Sequence, residues 1–160
     1  MRLNGLVTSL PFRSTKTFAD LPCAHRQHLH SGHCRFVHGY SRTVTLTFAA
    51  DALDENHFVV DFSALKALKA WLIEMFDHTL LINEGDPELP TFQQLHDRGV
   101  VDLRVVPNVS MEATAKLVFD YADALVRSDS AGRAWVEQVE MRENAKNSAL
   151  YRPAPTPVGA

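Results

Sequence analysis

Val44-Thr45-Leu46-Thr47-Phe48 alternates apolar and polar side chains with period two. That pattern marks a strand with one buried face and one wet face. The strand can begin as early as Phe36. Upstream, Ser14 to Cys23 reads as a first strand with a weaker pattern. Downstream, the apolar run Phe58-Val59-Val60 reads as a returning hairpin partner, and Asp61 and Ser63 then offer cap oxygens for a helix. Leu65, Leu68, Leu72 and Met75 recur at three- and four-residue steps and form one apolar stripe, with Ala64, Ala67 and Ala70 adding helix propensity. A short helix is expected around Phe92 to His96, and Val101, Leu103 and Val105 alternate as a strand. Ser110 caps a second long helix that places Ala113, Leu117, Tyr121 and Leu125 on one face. Trp135, Glu137, Val139 and Met141 alternate against Val136, Gln138 and Glu140 in a closing strand. This order predicts an α+β fold, an antiparallel four-stranded sheet with two helices on one face. A sheet of that size leaves edges to be covered, and oligomerisation is one way to cover them.

The length of 160 residues suits one domain with an ordinary core. We expect an N-terminal extension over 1–13, a single domain over 14–152 and a disordered, proline-bearing tail over 153–160. Apolar content of 46% and charged content of 22% are those of a globular chain, not a disordered one. A formal net charge of −3 gives no reason to expect a nucleic-acid or membrane partner. No apolar run approaches the roughly 18–20 residues a spanning helix needs. Met1 to Pro11 is too short and too mixed for a secretory signal, so a cytoplasmic location is expected. The two cysteines, Cys23 and Cys34, make a disulfide scaffold an unsuitable reading and leave metal binding or a reactive thiol open.

Five of the eight histidines lie between His25 and His38. Imidazole is a common zinc ligand, and a catalytic zinc usually takes three protein ligands plus water. Residues i and i+2 of a strand share a face, so a His-x-His pair can hold one ion. Here only half of that pair is present, because Tyr40 follows His38 at the second position. On spacing alone, solvated loop histidines explain the cluster as well as a metal site does. Taken singly, Cys34 also reads as a small packed residue, Asp77-His78 as a helix C-terminal cap, and Glu143 as an exposed strand end.

Cys23-Ala24-His25-Arg26, and Cys34 four residues before His38-Gly39-Tyr40, resemble the 6-carboxytetrahydropterin synthase and 6-pyruvoyltetrahydropterin synthase family. Further similar segments follow in order: Val60-Asp61-Phe62-Ser63, Phe76-Asp77-His78-Thr79, Ser110-Met111-Glu112-Ala113 and Glu140-Met141-Arg142-Glu143-Asn144. The resemblance covers roughly Ser14 to Arg152. It implies the tunnelling fold and a homohexamer built from two trimers, with active sites between subunits. It implies a Zn2+-dependent lyase converting 7,8-dihydroneopterin triphosphate to 6-carboxy-5,6,7,8-tetrahydropterin, a step toward queuosine and other 7-deazapurines. The four-residue step from Cys34 to His38 resembles the 6-carboxy type. The alternatives are a 6-pyruvoyl-type activity or a non-catalytic pterin- or purine-binding relative without zinc.

The same resemblance implies His25 and His38 as zinc ligands and Cys34 as the general base. It implies Asp77 and His78 as a second acid/base pair, and Glu143 as the residue that holds the pterin through its guanidine-like edge. Tyr40 stands where the family has a third histidine. His33, beside Cys34, is the expected substitute, with His30 or the Tyr40 phenolate as alternatives. Asn144 stands where the family usually has Thr.

Overall fold

A computed structural model describes residues 11–154. Those parts of the expected extension and tail that fall in 1–10 and 155–160 lie outside the described residues. Strands β1 (Phe12–His25) and β2 (His38–Ala50) form the long antiparallel pair at the centre of the sheet. Phe12 already pairs with Ala50, so the fold begins before residue 14. Helix α1 (Lys66–Phe76) follows, then β3 (Thr79–Asn83), helix α2 (Leu89–Asp97) and β4 (Leu103–Val106). Helix α3 (Met111–Asp129), β5 (Ala134–Arg142) and β6 (Ser148–Tyr151) complete the described chain.

The expected four-stranded antiparallel sheet is corrected. Among the described residues the sheet has six strands in the order β4-β3-β1-β2-β5-β6. β1 pairs with β3, and β3 with β4, in parallel, while the other pairs are antiparallel. The fold is therefore α+β, with a mixed sheet and three α-helices among the described residues. Phe58-Val59-Val60 forms no strand; its carbonyls at Phe58 and Val59 accept from Arg133 instead.

Helix α1 buries the stripe its sequence predicts, whereas α3 turns the expected Ala113, Leu117, Tyr121 and Leu125 to the half-buried margin and buries Ala115, Val118, Phe119, Ala122 and Val126 instead. Leu68, Leu72 and Phe76 of α1 pack with Val118, Phe119, Ala122 and Val126 of α3 over Val44, Leu46 and Phe48. Ser110 caps α3 by accepting the Ala113 N–H at 3.1 Å. Asp61 accepts the Ser63 N–H at 2.8 Å and caps a 3-10 turn, Phe62–Leu65, that leads into α1. β3 is buried at all five residues. Leu81 joins the main core, whereas Leu80 and Ile82 face a second cluster with Leu103, Leu89 and Phe92. Helix α2 thus covers the opposite face of the parallel end of the sheet. Among the described residues, no helix is long and apolar enough to cross a membrane.

Candidate functional site

The β1–β2 register sets His25 opposite His38, at the end of the pair where the two strands part. Their ring centroids are 4.5 Å apart. Strand β5 runs antiparallel to β2 with Arg142 opposite Thr43, so Glu143, the next residue, projects beyond that same end. His25, His38 and Glu143 each offer one ligand atom within 4.8 Å of the others. Among the described residues, they are the one group of His, Cys, Asp and Glu that does so. The His25 Nε2 to Glu143 Oε1 distance is 3.9 Å. His25 is buried, and His38 and Glu143 are half-buried.

Gly39 is what lets the pair close. A Cβ there would stand 2.7 Å from the Cys23 carbonyl oxygen and 3.0 Å from Ala24 Cα, both backbone atoms. Real side chains do not tolerate such contacts, so His38 reaches His25 only because its neighbour lacks a side chain.

The two imidazoles present opposite polarity. His38 Nδ1 lies 2.7 Å from the Phe36 carbonyl, which can only accept, so in the neutral ring Nδ1 carries the proton and the lone pair is on Nε2. Arg42, fully buried two strand positions from Tyr40, donates to His25 Nδ1 at 3.1 Å. A guanidinium can only donate, so neutral His25 carries its proton on Nε2. Burial, then the charges of Arg42 and His38, push the His25 pKa down to about 3, so the ring is neutral at ordinary pH. Burial also lowers the Arg42 pKa, against the attraction of Cys23 and Glu143. The Arg42 guanidinium lies 5.7 Å from the Phe76 ring centroid, and its Nε has no partner among the described residues.

The other residues singled out in the sequence lie around this centre. His33 and Cys34 sit in an exposed 3-10 turn, His33–Arg35, on the loop joining β1 to β2. The Cys34 carbonyl accepts the Gln27 N–H at 2.8 Å, which closes that loop on itself. His33 is outside the group formed by His25, His38 and Glu143. His30 Nδ1 is occupied, accepting the Gly32 N–H at 2.9 Å. Tyr40 shares the face of His38, with ring centroids 6.0 Å apart. Asp77 caps α1 through its N–H to the Ile73 carbonyl and also contacts His78 Nδ1 at 2.6 Å through Oδ1. His78 has a left-handed backbone, φ 59°, and an exposed ring. Its N–H donates to the Pro22 carbonyl at 2.7 Å, which ties this pair to β1. Asp77 lines one cavity of about 300 Å³ beside Lys16 and Lys69, while His78 lines a groove shared with Tyr40 and Gly39.

A buried polar network that sequence reasoning missed anchors the loop. Asp86, with a fully buried side chain, takes two hydrogen bonds of 2.7 Å from Arg26. Asn83 donates to Gln27 and His28 and accepts the Val109 N–H at 2.7 Å. This network joins the loop after β1, the end of β3 and the entry to α3. The adjacency of Arg26 to the histidine segment is visible in the sequence, but the partner lies 60 residues away.

Two imidazoles and a carboxylate are the donor set of one class of catalytic zinc site. The polarity of His38 suits ligation through Nε2, because a ligating imidazole donates its other N–H to an acceptor. His25 matches in kind and position, although Arg42 offers its Nδ1 no acceptor. The donor set fits a divalent ion of zinc's class.

Residues 14–154 match the family described as 6-pyruvoyl tetrahydropterin synthase. A 6-carboxy-5,6,7,8-tetrahydropterin synthase from Bacillus subtilis is 33% identical over 123 residues, 77% of this chain and 73% of the relative. The one from Rickettsia bellii is 38% identical over 71 residues, 44% of this chain, and the match spans about half (51%) of that relative's length. The crystal structure of an uncharacterized protein, WS1659 from Wolinella succinogenes, shares the fold with a TM-score of 0.77 at 21% identity, covering 91% of this chain and 100% of that one. By family match and by identity to such relatives, the chain belongs to the 6-pyruvoyl tetrahydropterin synthase family.

Proposed function

We propose that this chain is a zinc-dependent 6-carboxy-5,6,7,8-tetrahydropterin synthase acting on 7,8-dihydroneopterin triphosphate. The convergence of His25, His38 and Glu143 at one end of the sheet is the observation that carries the reading. The names of the relatives support the product, and the four-residue step from Cys34 to His38 agrees with them. His25 and His38 hold the ion, with His33 as the third ligand the sequence suggests. A bound divalent ion supplies Lewis-acid polarisation that makes the side-chain hydroxyls and neighbouring C–H groups of the substrate more acidic.

Cys34 serves as the general base for a carbon-bound proton of the substrate side chain; its exposure on the loop leaves the thiol accessible. Asp77 and His78 serve as the second acid/base pair. The carboxylate fixes the imidazole tautomer by taking the Nδ1 proton in a hydrogen bond, which leaves Nε2 to face the substrate. In the family pattern Glu143 faces the amide and amino donors of the pterin, two N–H groups matched to two carboxylate oxygens.

The reading includes a homohexamer in the tunnelling-fold arrangement, in the cytoplasm. Val105 on the edge strand β4 and Leu150 on the edge strand β6 are both exposed in the single chain, as edges awaiting a partner are. A second reading, a pterin- or purine-binding relative without turnover, is favoured by Tyr40 and by the donor Arg42 behind His25. The test is incubation with 7,8-dihydroneopterin triphosphate, with and without added zinc, and identification of the pterin product by mass. The 6-carboxy product, lost in Cys34→Ala, supports the enzyme. Tight pterin binding without any product supports the second reading.

A further inference from the structure

We infer that Glu143 is the third protein ligand of the metal in this chain, taking over the position that Tyr40 leaves unfilled. The inference rests on the metal-dependent reading above and departs from it at the role of one residue. The candidates for the third ligand suggested by the sequence, His33 and His30, both lie outside the convergent group. Glu143 is already in place: its carboxylate is 3.9 Å from His25 Nε2 and belongs to the set of ligand atoms that lie within 4.8 Å of one another.

Charge gives a second and independent argument. Arg42 is fully buried behind His25, and no carboxylate lies within ion-pair distance of it among the described residues. A third neutral imidazole would leave a divalent ion and a buried guanidinium side by side with no anionic ligand between them. Burying unbalanced charge is expensive. An anionic ligand removes one of those charges, and Glu143 is one of the two acidic groups whose field already reaches Arg42. A centre of two imidazoles and one carboxylate suits that surrounding better than a centre of three imidazoles does. Position 40, on the same strand face as His38, is then free to carry a group that does not bind the ion.

The test is metal affinity, read by chelator competition with Zn2+ and by the visible absorption of the Co2+-substituted protein. Wild type, Glu143→Gln, His33→Ala and the double variant Tyr40→His/Glu143→Gln are compared, with near-UV circular dichroism confirming the fold of each. The expected result is a loss of more than about 100-fold in Zn2+ affinity for Glu143→Gln, larger than changes to a ligand's hydrogen-bond partner produce. His33→Ala is expected to bind as wild type. The double variant is expected to regain affinity, since an imidazole at position 40 restores a third donor on the His38 face. Unchanged Co2+ spectra and affinity in Glu143→Gln overturn the inference. If at the same time His33→Ala loses the metal, the pterin-synthase reading with His33 survives and only the role of Glu143 falls. If wild type binds Co2+ through Glu143 but converts no dihydropterin, the ligand stands and the catalytic reading falls. If wild type takes up neither metal, both fall.

Discussion

Gly39→Ala isolates the contact on which the candidate site depends. The added methyl would sit 2.7 Å from the Cys23 carbonyl oxygen and 3.0 Å from Ala24 Cα. Neither atom belongs to a flexible side chain, so relief requires the β1–β2 pair to separate by several tenths of an ångström. Overpacking of this kind costs about 1–3 kcal/mol. Alanine recovers about 0.5–1 kcal/mol of backbone entropy that glycine loses in a strand. The difference runs from about zero to about 2.5 kcal/mol, with a central net cost of about 1 kcal/mol. For a chain of this size that central cost lowers Tm by about 2–4 °C. Thermal unfolding followed by far-UV circular dichroism measures it, with Gly85→Ala as control, because a Cβ at Gly85 meets nothing within 4 Å. The displacement also moves His38 away from His25, so metal affinity is expected to fall together with Tm. If Gly39→Ala melts at or above the wild-type temperature while Gly85→Ala does not differ from it, the close approach of β2 to Cys23 is not what holds the two histidines together.

Three further outcomes follow from particular contacts. Arg42→Gln removes a buried charge with an unpartnered Nε and gives His25 Nδ1 a neighbour that can accept; stability is expected to rise by about 1 kcal/mol by denaturant titration, with tighter Zn2+ binding, and a loss of both contradicts the polarity assigned to His25. At Asp86 burial pushes the carboxyl pKa up, but the Arg26 hydrogen bonds, the Glu88 N–H and the charges of Arg26 and His28 outweigh it and leave the pKa below its ordinary value of 3.8. The native state therefore draws stability from ionised Asp86 above pH 3.8 and loses it as pH falls through the lower folded pKa; Asp86→Asn keeps an acceptor for the Glu88 N–H, costs about 1.5–3 kcal/mol at neutral pH, and flattens the acid limb of the stability curve, whereas an unchanged acid limb removes Asp86 as its source. Cys34 is exposed, while burial, partly offset by Arg42 and Thr79, raises the Cys23 thiol pKa; iodoacetamide mapped by mass spectrometry is expected to modify Cys34 well before Cys23, and equal rates contradict the described packing.

Helix α1 and strand β2 are legible in the sequence because each is amphipathic, so its period shows in the residues themselves; α3 and β5 are legible as elements, but α3 buries the neighbouring stripe, and an irregularity in the pairing of β5 with β2 puts Val136 instead of Trp135 on the face of Val139 and Met141. β1 is less so, since Ser14 to Thr17 alternates only weakly. β3 is not legible at all. Thr79-Leu80-Leu81-Ile82-Asn83 is buried on both faces, and a doubly covered parallel strand reads as a continuous apolar run with no period to betray it. The parallel pairing at that end of the sheet is hidden with it, although α2 and β4 themselves show in the sequence around Phe92 to His96 and at Leu103 and Val105. Phe58-Val59-Val60 has the composition of a strand but packs as a bend, held by Arg133 from a distant turn.

What the sequence determined alone was the inventory: two histidines flanking a loop with a thiol, an Asp-His pair after one helix, a glutamate after the last long strand, and a tyrosine in a histidine's place. Their order along the chain carried the family. Which of them meet was decided by strand pairing. His25 and His38 become neighbours because β1 and β2 align them, and Glu143 joins because β5 lies on the other side of β2. Nearness in sequence favoured His33, but the side chains that converge among the described residues are His25, His38 and Glu143. A register set by burying Val44, Leu46 and Phe48 on one face of β2 and Val136, Val139 and Met141 on the same face of β5 brings a carboxylate to the histidines from more than a hundred residues away.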